Sequence, residues 1–299
     1  MDRIESIGIF IAVAEQGGFV AAARKTGVSP ASVSRAVAAL EETFGQLLFN
    51  RTTRALSLTE AGQSLLLSGR RLLADYEDLA NGLQDAAAPK GLLTVTAPVT
   101  FGRLHVMPIV QNLLRDHPGL DIQLLLVDRI ISLVDEGVDV GLRIGDLPDS
   151  SLLASRVGAV RRVLVASPAY LAARGEPKTP EDLADHGFIS TFGSSSSPGH
   201  LTLGGDVAEK IYRFRPRLTV NSVDAALEAV AAGFGIARLF SYQVEEGVRQ
   251  GRLARILRDF EPPPVPIHIL RPADRRPPAK VALFVETATA ALRAKFDGG

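Results

Sequence analysis

The sequence predicts an α/β chain in two parts: an all-α N-terminal region running into one long helix, then a larger two-lobed α/β region. Three observations predict this. Short helical patterns closed by glycine fill the first 58 residues, with one strand pair at their end. From Thr59 onward, apolar and small residues recur at alternating spacings of three and four. From Leu92, strand-like runs alternate with helical ones, which implies a parallel sheet with crossover helices.

The first helix is amphipathic, with Ile4, Ile7, Ile11 and Ala14 on one face, and Gly17-Gly18 ends it. Its stretch "IGIFIAVAEQ" imitates a signal-peptide core, but Asp2, Arg3 and Glu5 make the preceding segment net negative where a signal peptide is positive. "FVAAARKTG" is a second, short helix with an Ala-rich inner face. A third runs over "SPASVSRAVAALEETFG", with Ser29 as N-cap, Pro30 at the first helical position and Gly45 as the stop. Val33, Val37, Leu40 and Phe44 form its buried stripe. Helix, tight turn, helix is the helix-turn-helix pattern. "QLLFNRTTRALSLT" then reads as two strands around the turn from Asn50 to Arg54, a basic wing.

Thr59 caps a long helix, with Glu60 in its first turn. Gly62, Leu65, Gly69, Leu72, Tyr76, Leu79, Leu83 and Ala86 are spaced 3-4-3-4-3-4-3, a coiled-coil seam over more than three heptads. To Ala87 the helix spans roughly 40 Å. The residues that mark this as a dimer seam are Leu65, Leu72, Tyr76, Leu79 and Leu83, with the two glycines allowing close approach of a partner near the wing. Part of the stripe also packs on its own N-terminal region. "AAAPKG" breaks the helix, so the expected divisions are 1–58, a linker of 59–90, and 91–299.

Beyond that hinge come the strand "LLTVTAP", a helix to His117-Pro118-Gly119, "LDIQLLLV", a short helix, and "VDVGLRIG". Further strands are expected near 162–167, 187–192, 211–220 and 236–239, before "VPIHIL" and a final helix from Lys280. Two lobes joined by crossing strands leave a cleft, the default ligand site. "SSSSPG" reads as a loop.

Composition excludes several functions. Of 299 residues, 46% are apolar and 22% charged, with 33 basic and 33 acidic residues, so net charge points to no polyanionic partner. With no cysteine, disulfides, thiolate metal sites and a cysteine nucleophile are out. No apolar run reaches the ~18 residues of a membrane span. The five histidines are scattered, with no H-E-x-x-H and no G-x-S-x-G, and "GFGIAR" follows a helix instead of a strand. No catalytic residue, metal or cofactor is expected, although a triad assembled in space is the enzymatic alternative.

The third helix carries the functional signal. Its outward arc holds Ala31, Ser32, Ser34, Arg35 and Ala38, without the acidic first turn of an ordinary surface helix. Between Arg24 and Leu58 the bases are Arg24, Lys25, Arg35, Arg51 and Arg54, against Glu41 and Glu42 in the last turns of that helix. Its N-terminus at Ser29 and Pro30 offers free N–H groups to a phosphate. Ser32 and Ser34 can donate to phosphate or base edges, and Arg35 can reach guanine with both arms. Lys25, Arg51, Thr52 and Arg54 would meet the flanking backbone or minor groove. The face suits double-stranded DNA. The plain alternative is a surface helix of a protein-interaction module.

"FVAAARKTGVSPASVSRAVAALEETFGQLLFNRTTRALSLTEAG" resembles the winged helix-turn-helix of LysR-type transcriptional regulators. "VDRIISLVDEGVDVGLRIGDLPDSSLLASRVG", "RVLVASPAYLA" and "VNSVDAALEAVAAGFGIARL" resemble segments of that family's effector domain, so the resemblance covers the whole chain. It implies a cytoplasmic homodimer or homotetramer that binds promoter DNA under control of a small molecule held between two lobes resembling periplasmic binding proteins. The family's effector positions correspond here to Thr100, Phe101, Asp128, Arg129, Arg143, Phe192 and Ser222. Thr100 beside a helix N-terminus would seat a carboxylate, and Arg129 or Arg143 would clamp it, so the expected effector is anionic. Equally, Arg143 can pair with Asp128 or Asp139, and Phe101 can be core. An exported solute-binding protein would share the lobes but would need a signal peptide.

Overall fold

The computed structural model describes residues 2–51, 56–82, 89–147, 151–192, 199–204, 210–273 and 277–297. Thr52, Arg54, Leu83 and most of the expected hinge lie outside them, as do the side chains of Arg51 and Leu79. The chain forms two compact units: Met1–Leu92 with the short segments Val134–Gly137 and Pro278–Lys280, and the remainder.

In the first unit, α1 (Arg3–Gln16), α2 (Phe19–Thr26) and α3 (Pro30–Phe44) pack around Phe10, Val33, Val37 and Leu48, all essentially without solvent contact. Gly17, Gly27 and Gly45 end these helices in the left-handed conformation that favours glycine. Strands β1 (Phe49–Arg51) and β2 (Leu56–Leu58) pair antiparallel, with Phe49 opposite Leu58. Phe49 returns to the helices, its ring 5.2 Å from Phe10. The expected stripe of α3 needs one correction. Phe44 is 50% exposed, because the core beneath α3 ends at Leu40, and Ala36 takes its place among the buried residues.

Helix α4 (Glu60–Gly82) begins where Thr59 Oγ1 accepts from the Gly62 N–H at 3.0 Å. Its two glycines serve a different neighbour from the one expected. A Cβ on Gly62 would run into the carbonyl oxygen of Leu48, and one on Gly69 would lie 2.9 Å from Ile7 Cγ2. The glycines therefore admit the chain's own first unit. Leu65, Leu66 and Leu73 pack partly on that core, while Leu72 and Tyr76 are about half exposed. At ~100° per residue, Leu72 stands off to one side of the glycine stripe.

The second unit contains two five-stranded sheets. The first takes the order β4 (Leu120–Leu126), β3 (Gly91–Ala97), β5 (Val140–Ile144), β14 (Val265–Arg271), β6 (Leu153–Val160). The second takes the order β11 (Pro216–Val220), β8 (Phe188–Thr191), β12 (Ile236–Phe240), β7 (Arg162–Ala166), β13 (Ala254–Ile256). A small pair, β9 (His200–Leu203) and β10 (Lys210–Arg213), stands beside them. Both large sheets are mixed, not parallel as the alternation implied. β3–β5 and β8–β12 run parallel, while β14 is antiparallel to β5 and β6, and β7 to β12 and β13. Strand β6 passes through Arg161 straight into β7, so the crossing chain enters the second sheet without a crossover helix.

Helices cover the first sheet: α5 (Val99–Phe101), a π-helical turn (Gly102–Val106), α6 (Met107–Asp116) and α10 (Ala279–Phe296). α7 (Pro168–Arg174), α8 (Val223–Ala231) and α9 (Ser241–Arg249) belong to the second. Two further expectations change. No helix forms between 127 and 138, where Ile131 and Leu133 bury their side chains two residues apart. The strand expected over 211–220 is two strands, separated at Phe214, whose ring stacks on Phe188 at 3.9 Å.

Candidate nucleic-acid interface and ligand cleft

On α3 the cap is as the sequence requires. Ser29 Oγ accepts from the Ser32 N–H at 3.1 Å and lies 2.9 Å from Ser32 Oγ. Pro30 occupies the first helical position. Ala31, Ser34, Arg35 and Ala38 are exposed, opposite buried Val33, Ala36 and Val37. Arg35 lies along the face with two contacts of 3.4 Å, from Nε to the Ala31 carbonyl and from Nη2 to Ser32 Oγ. Contacts that long are weak, so the guanidinium is readily available to another acceptor.

Neither acid of α3 lies in its first two turns, and exposed Glu42 stands two turns beyond Arg35 on the same face. Glu41 turns to the far end, where its Oε1 accepts the Leu48 N–H at 2.9 Å and fixes the start of the wing. Lys25 stands at the end of α2, bound to Glu15 at 2.9 Å, and Arg70 of α4 reaches the same carboxylate at 3.0 Å. Lys25 first, and then Arg70, hold the Glu15 carboxyl below its usual range against its own partial burial. The result, over the first turns of α3, is a helix surface of hydroxyls, methyls and one guanidinium.

The second unit encloses a cleft between its lobes. Pro98, Asp128, Arg129, Arg143 and Ile144 line it from the first lobe. Thr191, Phe192, Asn221, Arg162 and Arg238 line it from the second, and Phe240, Tyr242 and Gln243 complete the lining. Of the expected residues, Asp128, Arg129, Arg143 and Phe192 therefore meet there. Thr100 and Phe101 do not line it. Thr100 is buried, and Phe101 lies in the core, its ring edge-on to Tyr242 at 5.4 Å. Ser222 is the N-cap of α8, accepting from the Ala225 N–H at 3.3 Å, and its neighbours Asn221 and Val223 face the cleft instead.

The anticipated carboxylate seat has an occupant. Asp128 Oδ1 accepts the Val99 N–H at 3.0 Å, so the helix N-terminus already holds an internal carboxylate. Arg143 donates from Nη1 to the Leu142 carbonyl at 3.0 Å. Asp139, its other anticipated partner, accepts the Thr94 N–H through Oδ2 at 2.8 Å.

Sequence reasoning missed Arg162 and Arg238. In the β7–β12 ladder Arg162 faces Phe240 and Arg238 faces Leu164, so both arginines project from the same sheet face. Arg162 Cζ lies 5.5 Å from the centre of the Phe240 ring. Burial, reinforced by the charge of Arg162, lowers Arg238 to about 10, and burial also lowers Arg162 against the pull of Asp146. Their only sequence-level signal is an arginine at alternate positions of apolar strands. Among the described residues, no cluster of His, Asp or Glu could hold a metal ion, and no helix is long and apolar enough to cross a membrane.

Comparisons with known proteins agree with this architecture. A family model described as the LysR substrate binding domain matches residues 86–293. One described as a bacterial regulatory helix-turn-helix protein of the lysR family matches residues 4–63. The chain is similar to the HTH-type transcriptional regulator YhjC of Escherichia coli, 31% identical over 303 residues, covering 99% of this chain and 100% of that one. It is similar to PgrR of the same organism, 30% identical over 302 residues, covering 99% and 98%. Among solved structures, the full-length Vibrio cholerae virulence activator AphB, a member of the LTTR protein family, matches with a TM-score of 0.64 at 26% identity, covering 97% and 99%.

Proposed function

Since the chain belongs to the LysR family of bacterial transcriptional regulators, and so is a DNA-binding regulator and not an enzyme, we propose that α3 enters the major groove of promoter DNA and that a small molecule in the cleft modulates this binding. The single observation that carries the reading is the exposed face of the first two turns of α3, free of carboxylates and set above a buried stripe. On that face Arg35 reads a guanine, Ser32 and Ser34 meet base edges or phosphate, and Ala31 and Ala38 allow close approach. The capped end at Ser29 and Pro30 takes a phosphate. Lys25, Arg51, Thr52 and Arg54 meet the flanking backbone. The functional divisions are residues 1–58 for DNA, 59–90 for linkage and 91–299 for the effector.

One winged unit makes too few base contacts for useful specificity, so two copies must be held at a fixed spacing. The exposed side of α4 at Leu72 and Tyr76, with Leu65 at its lower margin, supplies a second chain's docking stripe, and the sequence spacing adds Leu79 and Leu83 to it. The assembly is a homodimer or homotetramer working in the cytoplasm. The effector is a small anion, drawn by the excess of arginine over carboxylate around the cleft.

Selection from a pool of random duplex DNA tests the reading. The full chain should enrich a two-fold symmetric site whose halves lie about one helical turn, or a multiple of it, apart. A pool that stays random after repeated rounds overturns it.

A further inference from the structure

Two cationic side chains on one wall of the cleft have no anion in direct contact among the described residues, and Asp146 acts on Arg162 only from a distance. Among the described residues, neither the Arg162 nor the Arg238 side chain makes a hydrogen bond or an ion pair within 4 Å. They stand on adjacent antiparallel strands at diagonal positions of one face, which sets their Cβ atoms about 7–8 Å apart. That spacing lets two guanidinium forks converge on one compact anion. Leu164, opposite Arg238, and Ile236 carry the same face on into the second lobe's core, while both arginines line the cleft.

The surroundings add shape to the charge. Phe240 lies beneath the Arg162 guanidinium, and Leu239, Ile144, Val127 and half-exposed Phe192 supply apolar walls. Opposite, Asp128 already neutralises the helix N-terminus at Val99, so a second carboxylate arriving there would meet a like charge. An incoming acid is thus repelled from the first lobe's helix end and attracted to the second lobe's sheet.

We propose that Arg162 and Arg238 seat the anionic head, carboxylate or phosphate, of a small organic acid whose flat apolar body lies along Phe240 and Phe192. The inference rests on the reading that the cleft is the effector site, and it locates the acid on the second lobe. Holding two like charges side by side in a partly buried wall destabilises the protein, and a bound anion reverses that cost. Burial lowering both arginines is the same effect seen in their proton affinity. The arrangement stores a repulsion that a bound anion relieves.

The test is thermal unfolding of the full chain with sodium benzoate, phenyl phosphate and neutral benzamide at matched chloride. Wild type should be stabilised by benzoate or phenyl phosphate, whichever head fits, and not by benzamide. Arg238→Gln should melt about 2–4 °C higher than wild type without ligand. Both Arg238→Gln and Arg162→Gln should bind the acid about tenfold or more weaker. The proposal is overturned if neither acid shifts wild type, or if unliganded Arg238→Gln melts lower, which would make the arginine structural. Loss of the acid response in Arg143→Gln with retention in both pair variants also overturns it, while leaving the cleft as the site. Retention in all three variants would remove the cleft reading as well.

Discussion

The outward face of α3 and the inner wall of the cleft both present arginine, under opposite conditions. Arg35 lies exposed, its weak contacts all to its own helix. Arg162 and Arg238 are drawn into a cleft, one over an aromatic ring and each within the other's field. The exposed group is kept ready by omission, since among the described residues no carboxylate is paired with it. The enclosed pair is kept ready by register, which places two cations together against their mutual repulsion. The difference teaches that a surface for a large polyanion needs only an undisturbed charge in water, whereas a site for a small anion needs charge removed from water, where each contact is stronger.

That contrast can be broken most severely through α4. Leu72→Asp places a charge on its exposed apolar side, and should give monomers with operator affinity reduced by about a thousandfold or more, toward the nonspecific level. Acid binding by the cleft should remain, because its lobes have their own cores. Sedimentation shows the outcome, and an unchanged dimer that still binds its operator tightly would exclude this stripe as the dimer contact.

Acid should separate the two units next. His105 sits among the rings of Phe101, Tyr242 and Phe296 at 5.0–5.5 Å, and burial, with a smaller effect of Lys295, lowers it to about 4. Its unfolded value is about 6.5, so the unfolded chain takes up the proton first as pH falls. The stability it contributes is complete above about pH 6.5, declines toward pH 4 and is lost below it, a change of about 2–3 kcal/mol. His105→Phe should remove that decline from urea midpoints of the second unit measured at pH 7 and 4.5. An identical decline in the variant would contradict the assignment.

A smaller effect tests what the glycines of α4 are for. Gly62→Val drives a side chain into the Leu48 carbonyl and should cost the first unit about 1–3 kcal/mol, visible as a lower unfolding midpoint. If Gly62 instead admitted a partner helix, the variant would dissociate without losing stability as a separated chain.

Local physics made the first unit legible. Ser29, Pro30 and Gly45 mark α3 because a cap and a stop act within a few residues, and Thr59 marks α4 for the same reason. Phe44 escaped that logic, since helical spacing gives a direction but not where the core beneath it ends. Spacing likewise showed that Gly62 and Gly69 share a face, and not which neighbour fills it. In the cleft, Asp128, Arg129, Arg143 and Phe192 are indicated by the resemblance to the family's effector positions, and the same resemblance puts Thr100, Phe101 and Ser222 where the cleft does not reach. Arg162 and Arg238 meet only through an antiparallel pairing of strands distant in the chain, and a mixed sheet was not what the alternation implied. Thr100 lost its expected place to Asp128, a competition between two segments that neither shows alone.

The claim that α3 reads base sequence through the carboxylate-free face of its first two turns is tested most directly by repeating the duplex selection with Arg35→Ala. The face predicts that one position in each half-site loses its preference for guanine and that affinity for the original site falls by about 1–3 kcal/mol per half-site, with folding unchanged. An enriched site identical to that of the wild type, bound as tightly at the same salt, would contradict it.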